Sequence, residues 1–509
     1  MIFNSYTYLL IFLPLALLGF SIIARHGLRA GFGWLVVMSL VFYGWWNPDA
    51  SKPWSPFYVA LILGSCVGNY FFGRYISGHK HTPIGKKILT VGVVANLGLL
   101  GYYKYAGFLA GLMGVELHIV LPLAISFFTF LQIAYLVDAF RGETEEYHFT
   151  DYLLFVTFFP HLIAGPLVHH KEMLPQFTKQ TWRNHKWTNL SVGLTTLVLG
   201  LFKKVVIADN AAVIANAIFG LAARDERAIT ILEGWAAVTT YAIQLYFDFS
   251  GYSDMAIGSA RLFGIRFPLN FHSPYKAVSV VEFWRRWHMT LSRFLRDYLY
   301  FPLGGNRKGK ARRYLNLMLT MVLGGIWHGA GFAFLLWGFL HGLYLCLNHA
   351  WAAFRKKHNL APLPKPLAIA LTFLAVLIAW VPFKAGSFEH GTSGSTAQAI
   401  TATKNILAAM FGFNGFHGWP DNSAYVAKDA HAFRACLWLF VIWLAPNTQE
   451  FLRRYSPALD VGAFDGNRVG PRRWWQWRPT GMWFAFTLIL LIITIAQFDK
   501  VSEFIYFQF

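Results

Sequence analysis

The side chains best suited to chemistry crowd between Asp248 and His328. His328 lies in Gly324-Gly325-Ile-Trp327-His328-Gly329 and is the one ionisable side chain between Leu315 and Leu340. An imidazole there is either a core histidine satisfied by a carbonyl or a group facing a cavity. The cost of an ionisable side chain in an apolar medium favours the second, and the glycines beside it would let a substrate approach the backbone. No Gly-x-Ser-x-Gly elbow, P-loop or His-Glu-x-x-His accompanies it, and no metal is expected. Without a serine or cysteine nucleophile nearby, the expected chemistry is that of a general base acting on a hydroxyl brought by an acceptor. His341 has the same character, nearer a helix end.

Upstream, Gln244-Leu-Tyr-Phe-Asp248-Phe-Ser250-Gly-Tyr-Ser253-Asp254 ends an apolar run in two carboxylates. Asp254 reads as a residue near the positive end of a new helix capped by Ser250 or Ser253. Asp248, between Phe247 and Phe249, needs a partner if buried, as a structural pair or as part of a functional site. Next, at 100° per residue, Trp284, Trp287, Leu291, Leu295 and Tyr298 share one face of a helix over 282–298. Arg286, Arg293 and Arg296 lie opposite, Arg285 beside them, Ser292 near the edge and His288 at the border. This pattern predicts a basic amphipathic helix in the membrane interface. It is either an anchor or a ramp whose guanidinium groups hold an anionic cosubstrate. Pro302-Leu-Gly304-Gly305-Asn306-Arg307-Lys308 then reads as a cytoplasmic turn more readily than as a phosphate site.

The elements that must hold these residues are membrane helices. Of 509 residues, 56% are hydrophobic and only 13% charged, against about 25% charged in soluble domains. Too few polar side chains remain to cover a water-facing surface, which excludes a soluble enzyme or a secreted domain. The net charge of +20 comes from basic residues in short loops, which set topology and meet anionic headgroups. The chain is not expected to bind nucleic acid. Three cysteines in apolar runs form no disulfide framework.

Spans of about 20 apolar residues are expected near 7–24, 31–46, 55–73, 88–113, 118–140, 150–168, 190–220, 229–247, 314–349, 366–385, 432–446 and 480–497. Those at 190–220 and 314–349 are interrupted by Lys203-Lys204 and by glycines, as broken or re-entrant elements would be. The expectation is a single all-α membrane domain over 1–509, of about 11 spans, with no cleaved leader. Its motif-rich core is 120–349. By the positive-inside rule 386–431 is an extracytoplasmic loop, and 447–479, with Arg453, Arg454, Arg468, Arg472, Arg473 and Arg478, is cytoplasmic.

At these residues the sequence resembles the membrane-bound O-acyltransferase family, of the bacterial alginate O-acetyltransferase type. The matching stretches include 245–258, Glu282-Phe-Trp-Arg-Arg-Trp-His288, Arg296-Asp-Tyr-Leu-Tyr300, Leu303-Gly-Gly-Asn-Arg-Lys308 and Leu323-Gly-Gly-Ile-Trp-His-Gly329. Ile125 to Phe130, Pro160 to Pro166, Phe202 to Asp209 and the C-terminal Phe504-Ile-Tyr-Phe add to the likeness. The resemblance implies a tunnel through the membrane domain, with His328 catalytic and His288 the second tunnel histidine. Asp248, Trp327 and Ser292 are further candidates for its lining. It implies acetyl-coenzyme A as a cytoplasmic donor, with no bound cofactor, and Arg285, Arg286, Arg296, Asn306, Arg307 and Lys308 are the candidates to hold it. It also implies an extracytoplasmic acetyltransferase partner, a polysaccharide as final acceptor, and residence in the bacterial inner membrane. Rival expectations are transfer of D-alanine or another acyl group, and a transporter of polysaccharide or lipid-linked sugar.

Overall fold

In lipid a backbone must satisfy its own polar groups, and long apolar runs do so as helices. The computed structural model describes residues 2–46, 56–115, 117, 119–144, 147–177, 182, 185–388, 393–419, 428–460, 473–498 and 504–505. Among these the chain is helical, and a lone bridge between Pro268 and Leu459 is the only extended pairing.

The first half comprises α1 (Leu13–Ile23), α2 (Leu28–Gly44), α3 (Pro56–Gly78), α4 (Pro83–Leu112), α5 (Ile125–Arg141), α6 (Phe149–Thr157), α7 (His170–Phe177), α8 (Lys186–Phe202) and α9 (Asp209–Arg224). The second half comprises α10 (Ile231–Leu262), α11 (Val280–Arg286), α12 (Met289–Leu295), α13 (Gly309–His328), α14 (Phe332–Lys357), α15 (Lys365–Ala385), α16 (Ser393–Met410), α17 (Lys428–Leu444) and α18 (Gly481–Ile495). Five described helices are long and apolar enough to cross a membrane: Phe57–Gly78, Pro83–Leu112, Lys186–Arg224, Phe332–Lys357 and Lys365–Phe388. Thr7–Ile23, Leu28–Gly44, Arg434–Leu444 and Gly481–Ile495 are shorter apolar helices. The protein is polytopic, and the charged C-terminal loop residues Arg468 and Arg472 lie outside the described residues.

α10 is the axis. Thr230 accepts from the Glu233 amide while Glu233 accepts from the Thr230 amide, a capping box that fixes its start. Every residue from Thr240 to Leu262 is buried, so this helix meets protein rather than lipid and can carry polar side chains. α8 lies against it with paired glycines. A Cβ on Gly200 would stand 2.6 Å from the Gly251 carbonyl oxygen, and one on Gly258 would stand 2.6 Å from the Leu197 nitrogen. Small residues thus let two backbones touch where lipid supplies no hydrophobic drive. Gly200→Ala should cost about 1–3 kcal/mol of stability, as overpacked sites do. A detergent melting temperature unchanged from the parent would count against this packing.

Between α8 and α9 the helix widens into a π turn, Lys203–Ala208. The lysines that interrupt the apolar run therefore do not break the helix. They turn toward α10, where Lys203 meets Asp254 at 2.6 Å and Lys204 meets Asp248 and Asp209, each at 2.7 Å. This corrects the reading of Asp254. No helix starts there, and its carboxylate also accepts from Thr448 Oγ1 (2.7 Å) and Gln449 Nε2 (3.1 Å).

Three other expectations differ from the structure. The run at 150–168 is not one span: α6 stops at Thr157, Pro160 opens a single turn at Phe159–Leu162, and the rest to Val168 is irregular and buried. The helix over 282–298 is broken at Trp287-His288, and Trp284, Trp287, Leu291 and Leu295 pack into the protein instead of facing lipid. The stretch expected as a loop at 386–431 holds α16, whose Ala399, Ala402, Ile406 and Ala409 are buried. Alanine, serine and threonine made that helix too polar to register as a span.

Candidate functional site

His328 is the last residue of α13. The end of a helix leaves carbonyls without partners, and here α4 supplies them. Lys104 Nζ donates to the carbonyls of Trp327 (2.5 Å) and His328 (3.0 Å), and Tyr105 donates to Ile326 (2.9 Å). Donors at the negative end of the dipole are favourable, and the pair fixes the backbone that aims His328. The ring is walled by Trp337 (centroids 4.9 Å) and Phe383 (5.2 Å), both nearly perpendicular to it.

His288 occupies the break between α11 and α12 with φ +42°, a left-handed conformation uncommon outside glycine. The segment 270–272 holds it there: Met289 N–H donates to the Asn270 carbonyl and His272 N–H to that of Arg286, each at 2.9 Å. Its Nδ1 lies 3.1 Å from Asn270 Oδ1, and its ring packs on Phe249 at 4.7 Å.

The two histidines line one narrow cavity, shared with Leu245, Asp248, Phe249, Trp287, Trp337, Trp380, Phe383, Phe504 and Ile505. Lys204 neutralises Asp248 on one side, and Ile505 N–H donates to its other oxygen at 3.1 Å. The C-terminal Phe504-Ile505 thus returns to the middle of the molecule. Tyr506 and Phe507, part of the same motif, lie outside the described residues.

A wider and more open cavity lies beside the C-terminal end of α5 and the π turn at Arg296–Tyr300. Arg141, Lys171, Arg293 and Arg307 line it together with Asp138, Glu143, Glu172 and Asp297. Arg293 grips Glu172 with both terminal nitrogens. Asp138, His169 and His170 place ligand atoms within 4.8 Å of one another, a spacing open to a metal ion. The hydrogen bonds already present account for the cluster: His169, His170 and Tyr298 all converge on Asp138 Oδ2. Lys171 N–H donates to His169 Nδ1, which puts the proton of the neutral ring on Nε2, the atom a metal would need. Burial pushes the His170 imidazole below its ordinary range, against the pull of Asp138. Between the two cavities runs a column of rings. Tyr298 contacts Phe294 (5.0 Å), Phe294 stacks on Phe130 (4.2 Å), Phe130 on Trp327 (5.0 Å), and Trp327 adjoins His328 (4.9 Å).

Residues 99–384, which hold both histidines and the column, match the profile of MBOAT, the membrane-bound O-acyltransferase family. The chain belongs to this family. It is similar to the peptidoglycan O-acetyltransferase of Helicobacter pylori, with 39% identity over 467 residues, 85% of this chain and 83% of that one. It is similar over the full length of both chains, at 36% identity, to the probable alginate O-acetylase AlgI of Pseudomonas putida. A likeness of 29% identity over 280 residues links 51% of this chain to 68% of the teichoic acid D-alanyltransferase of Streptococcus thermophilus. The protein is a multi-pass membrane O-acyltransferase of the bacterial O-acetyltransferase type.

In this acyltransferase the expected residues fall into distinct places. His328, His288 and Asp248 share the cavity. Trp327 faces the ring column, and Ser292 is occupied with the Trp287 carbonyl at 3.4 Å; neither lines the cavity. His341 stands outside it as well, accepting from Trp284 Nε1 at 3.3 Å among Phe283, Trp337 and Trp380. Of the candidates for the donor, Arg307 lines the wider cavity, with Asn306 and Lys308 exposed beside it. Arg285 is exposed, Arg286 pairs with Glu282 at 2.7 Å, and Arg296 pairs with Asp297 at 2.7 Å. Sequence reasoning passed over Lys104, although a lone lysine in an apolar run is a signal of function. It also passed over Asn270, Trp380 and Phe383, which nothing in the local sequence marks.

Proposed function

We propose that this enzyme moves an acetyl group from acetyl-coenzyme A, bound at the wide charged cavity on the inner membrane's cytoplasmic side, to an extracytoplasmic partner that acetylates an exported polysaccharide. The observation that carries this reading is a small cavity where two buried histidines meet beside a neutralised aspartate, set behind a wide charged cavity. The relatives named as O-acetyltransferases of peptidoglycan and alginate support acetyl as the group and a polymer as its destination.

In the transfer, the oxygen of an acceptor hydroxyl attacks the acetyl carbonyl carbon as His328 takes the hydroxyl proton. The carbon–sulfur bond breaks, and the leaving thiolate recovers that proton from the imidazolium. No net proton is released. A base in such a place contributes about 10²–10⁴-fold, and an apolar wall keeps the resting imidazole neutral, the form that accepts. The rings between the cavities would have to part for the donor's arm to reach His328.

The test is transfer of radiolabelled acetyl from acetyl-coenzyme A by the purified protein in liposomes, with extracted membrane and polymer fractions as acceptors. Labelled product and free coenzyme A in equal amounts are expected, whereas no consumption of the thioester with any acceptor fraction would overturn the proposal. Arg307→Glu, at the wide cavity, should raise the KM for acetyl-coenzyme A about threefold or more, since a rim charge is worth up to ~1 kcal/mol. An unchanged KM would move the donor site elsewhere.

A further inference from the structure

We propose that Asn270 is a positioning residue that holds His288 as the Nδ1–H tautomer, so that Nε2 presents a lone pair to the catalytic cavity. The inference rests on the reading that transfer takes place between His288 and His328. Thr290 Oγ1 accepts the Leu167 N–H at 2.9 Å, so its own proton is available to a second partner, and that partner is Asn270 Oδ1 at 2.9 Å. On its other side Asn270 Nδ2 donates to Ser253 Oγ at 3.1 Å. The amide is thereby oriented, with its oxygen toward Thr290 and His288. A neutral imidazole 3.1 Å from an acceptor oxygen must place its hydrogen on the facing nitrogen, Nδ1.

The opposite nitrogen then carries the lone pair. Nε2 of His288 is buried and has no hydrogen-bond partner among the described residues, while the ring lines the cavity. Burying a polar atom without a partner is costly, and the cost makes sense where a substrate hydroxyl or the neighbouring imidazole will donate to it. Which ring nitrogen is available is set by the bond the other one makes. Asn270 therefore acts through His288, from the far side of the ring, and touches no substrate. All four side chains, Ser253, Asn270, His288 and Thr290, are buried.

The test is a set of purified variants assayed for acetyl transfer. Asn270→Leu, which removes the acceptor, should lower kcat at least about tenfold, as loss of a histidine's orienting partner does, with the KM for acetyl-coenzyme A within about twofold of the parent. Asn270→Asp keeps an acceptor oxygen toward His288, and the Ser253 hydroxyl can turn to donate to it, so this variant should recover most of the lost kcat. Thr290→Val should lower kcat and Thr290→Ser should restore it. Full activity in Asn270→Leu overturns the inference, and so does an Asn270→Asp variant that is folded but as slow as the leucine. His288→Ala separates the two levels: if it retains transfer, the cavity itself is misread, whereas an inactive His288→Ala beside an active Asn270→Leu defeats only the tautomer argument.

Discussion

His328→Ala should lower acetyl transfer by at least about a hundredfold, while the protein stays inserted and monodisperse in detergent. The magnitude follows from the role. Removing a general base forfeits about 10²–10⁴ in rate, equivalent to ~3–5 kcal/mol of transition-state stabilisation at 1.36 kcal/mol per tenfold. The fold should survive because the ring ends a helix whose final carbonyls are held by Lys104 and Tyr105, not by the imidazole. His341→Gln makes the contrast. That ring is also buried but stands outside the cavity, on Trp284. It should keep transfer within about threefold of the parent, less than the ~1 kcal/mol at which a substitution is felt. The measurement is initial rate of label transfer at saturating acetyl-coenzyme A, normalised to folded protein. If His328→Ala transfers acetyl as fast as the parent, or if His341→Gln is the dead variant, the site has been assigned to the wrong imidazole.

The contrast between those histidines shows what a sequence can carry. Both sit in apolar runs next to glycine, where the cost of an ionisable group is nearly the same. Only the placement of Trp284, Phe283 and Trp380, contributed by two other helices, turns one into a packed core residue. The membrane class and most helix positions were legible because hydropathy is a local property of the chain. The break at His288 was not. The 3.6-residue pattern runs through it without interruption, and the left-handed kink is held by the Asn270 carbonyl, which accepts from Met289, and the His272 N–H, which donates to Arg286, both outside the helix. Asp254 was misread for a similar reason: its partner, Lys203, is 51 residues upstream, and pairing across helices leaves no trace in a window. All the donor candidates but Asn306 carry a positive charge. Arg286 and Arg296 have the right charge, but each has a carboxylate beside it on its own segment, and only the fold reveals which arginine still borders open space.

Lys204→Met should destabilise the protein more than any other single change among these residues. Lys204 is 1% exposed and stands between two carboxylates, Asp248 and Asp209, themselves 1% and 5% exposed. Deleting the cation leaves both acids buried beside one another. Breaking a buried pair in this way costs about 3–5 kcal/mol, a large part of the ~5–15 kcal/mol that holds a typical fold together. The expected result is a steep loss of monodisperse protein on extraction and a lower melting temperature. Lys204→Met combined with Asp248→Asn removes one of the stranded charges and should recover part of that stability. Because the Asp248 carboxylate accepts the Ile505 amide and lines the cavity with both histidines, the double variant also separates folding from function. Recovery of the fold without recovery of transfer would mean that the carboxylate's charge serves the reaction; recovery of both would make the pair purely structural. A Lys204→Met protein as stable as the parent would show that the ion pairs across the π turn contribute nothing net, and that the paired glycines of α8 and α10 alone hold these helices together.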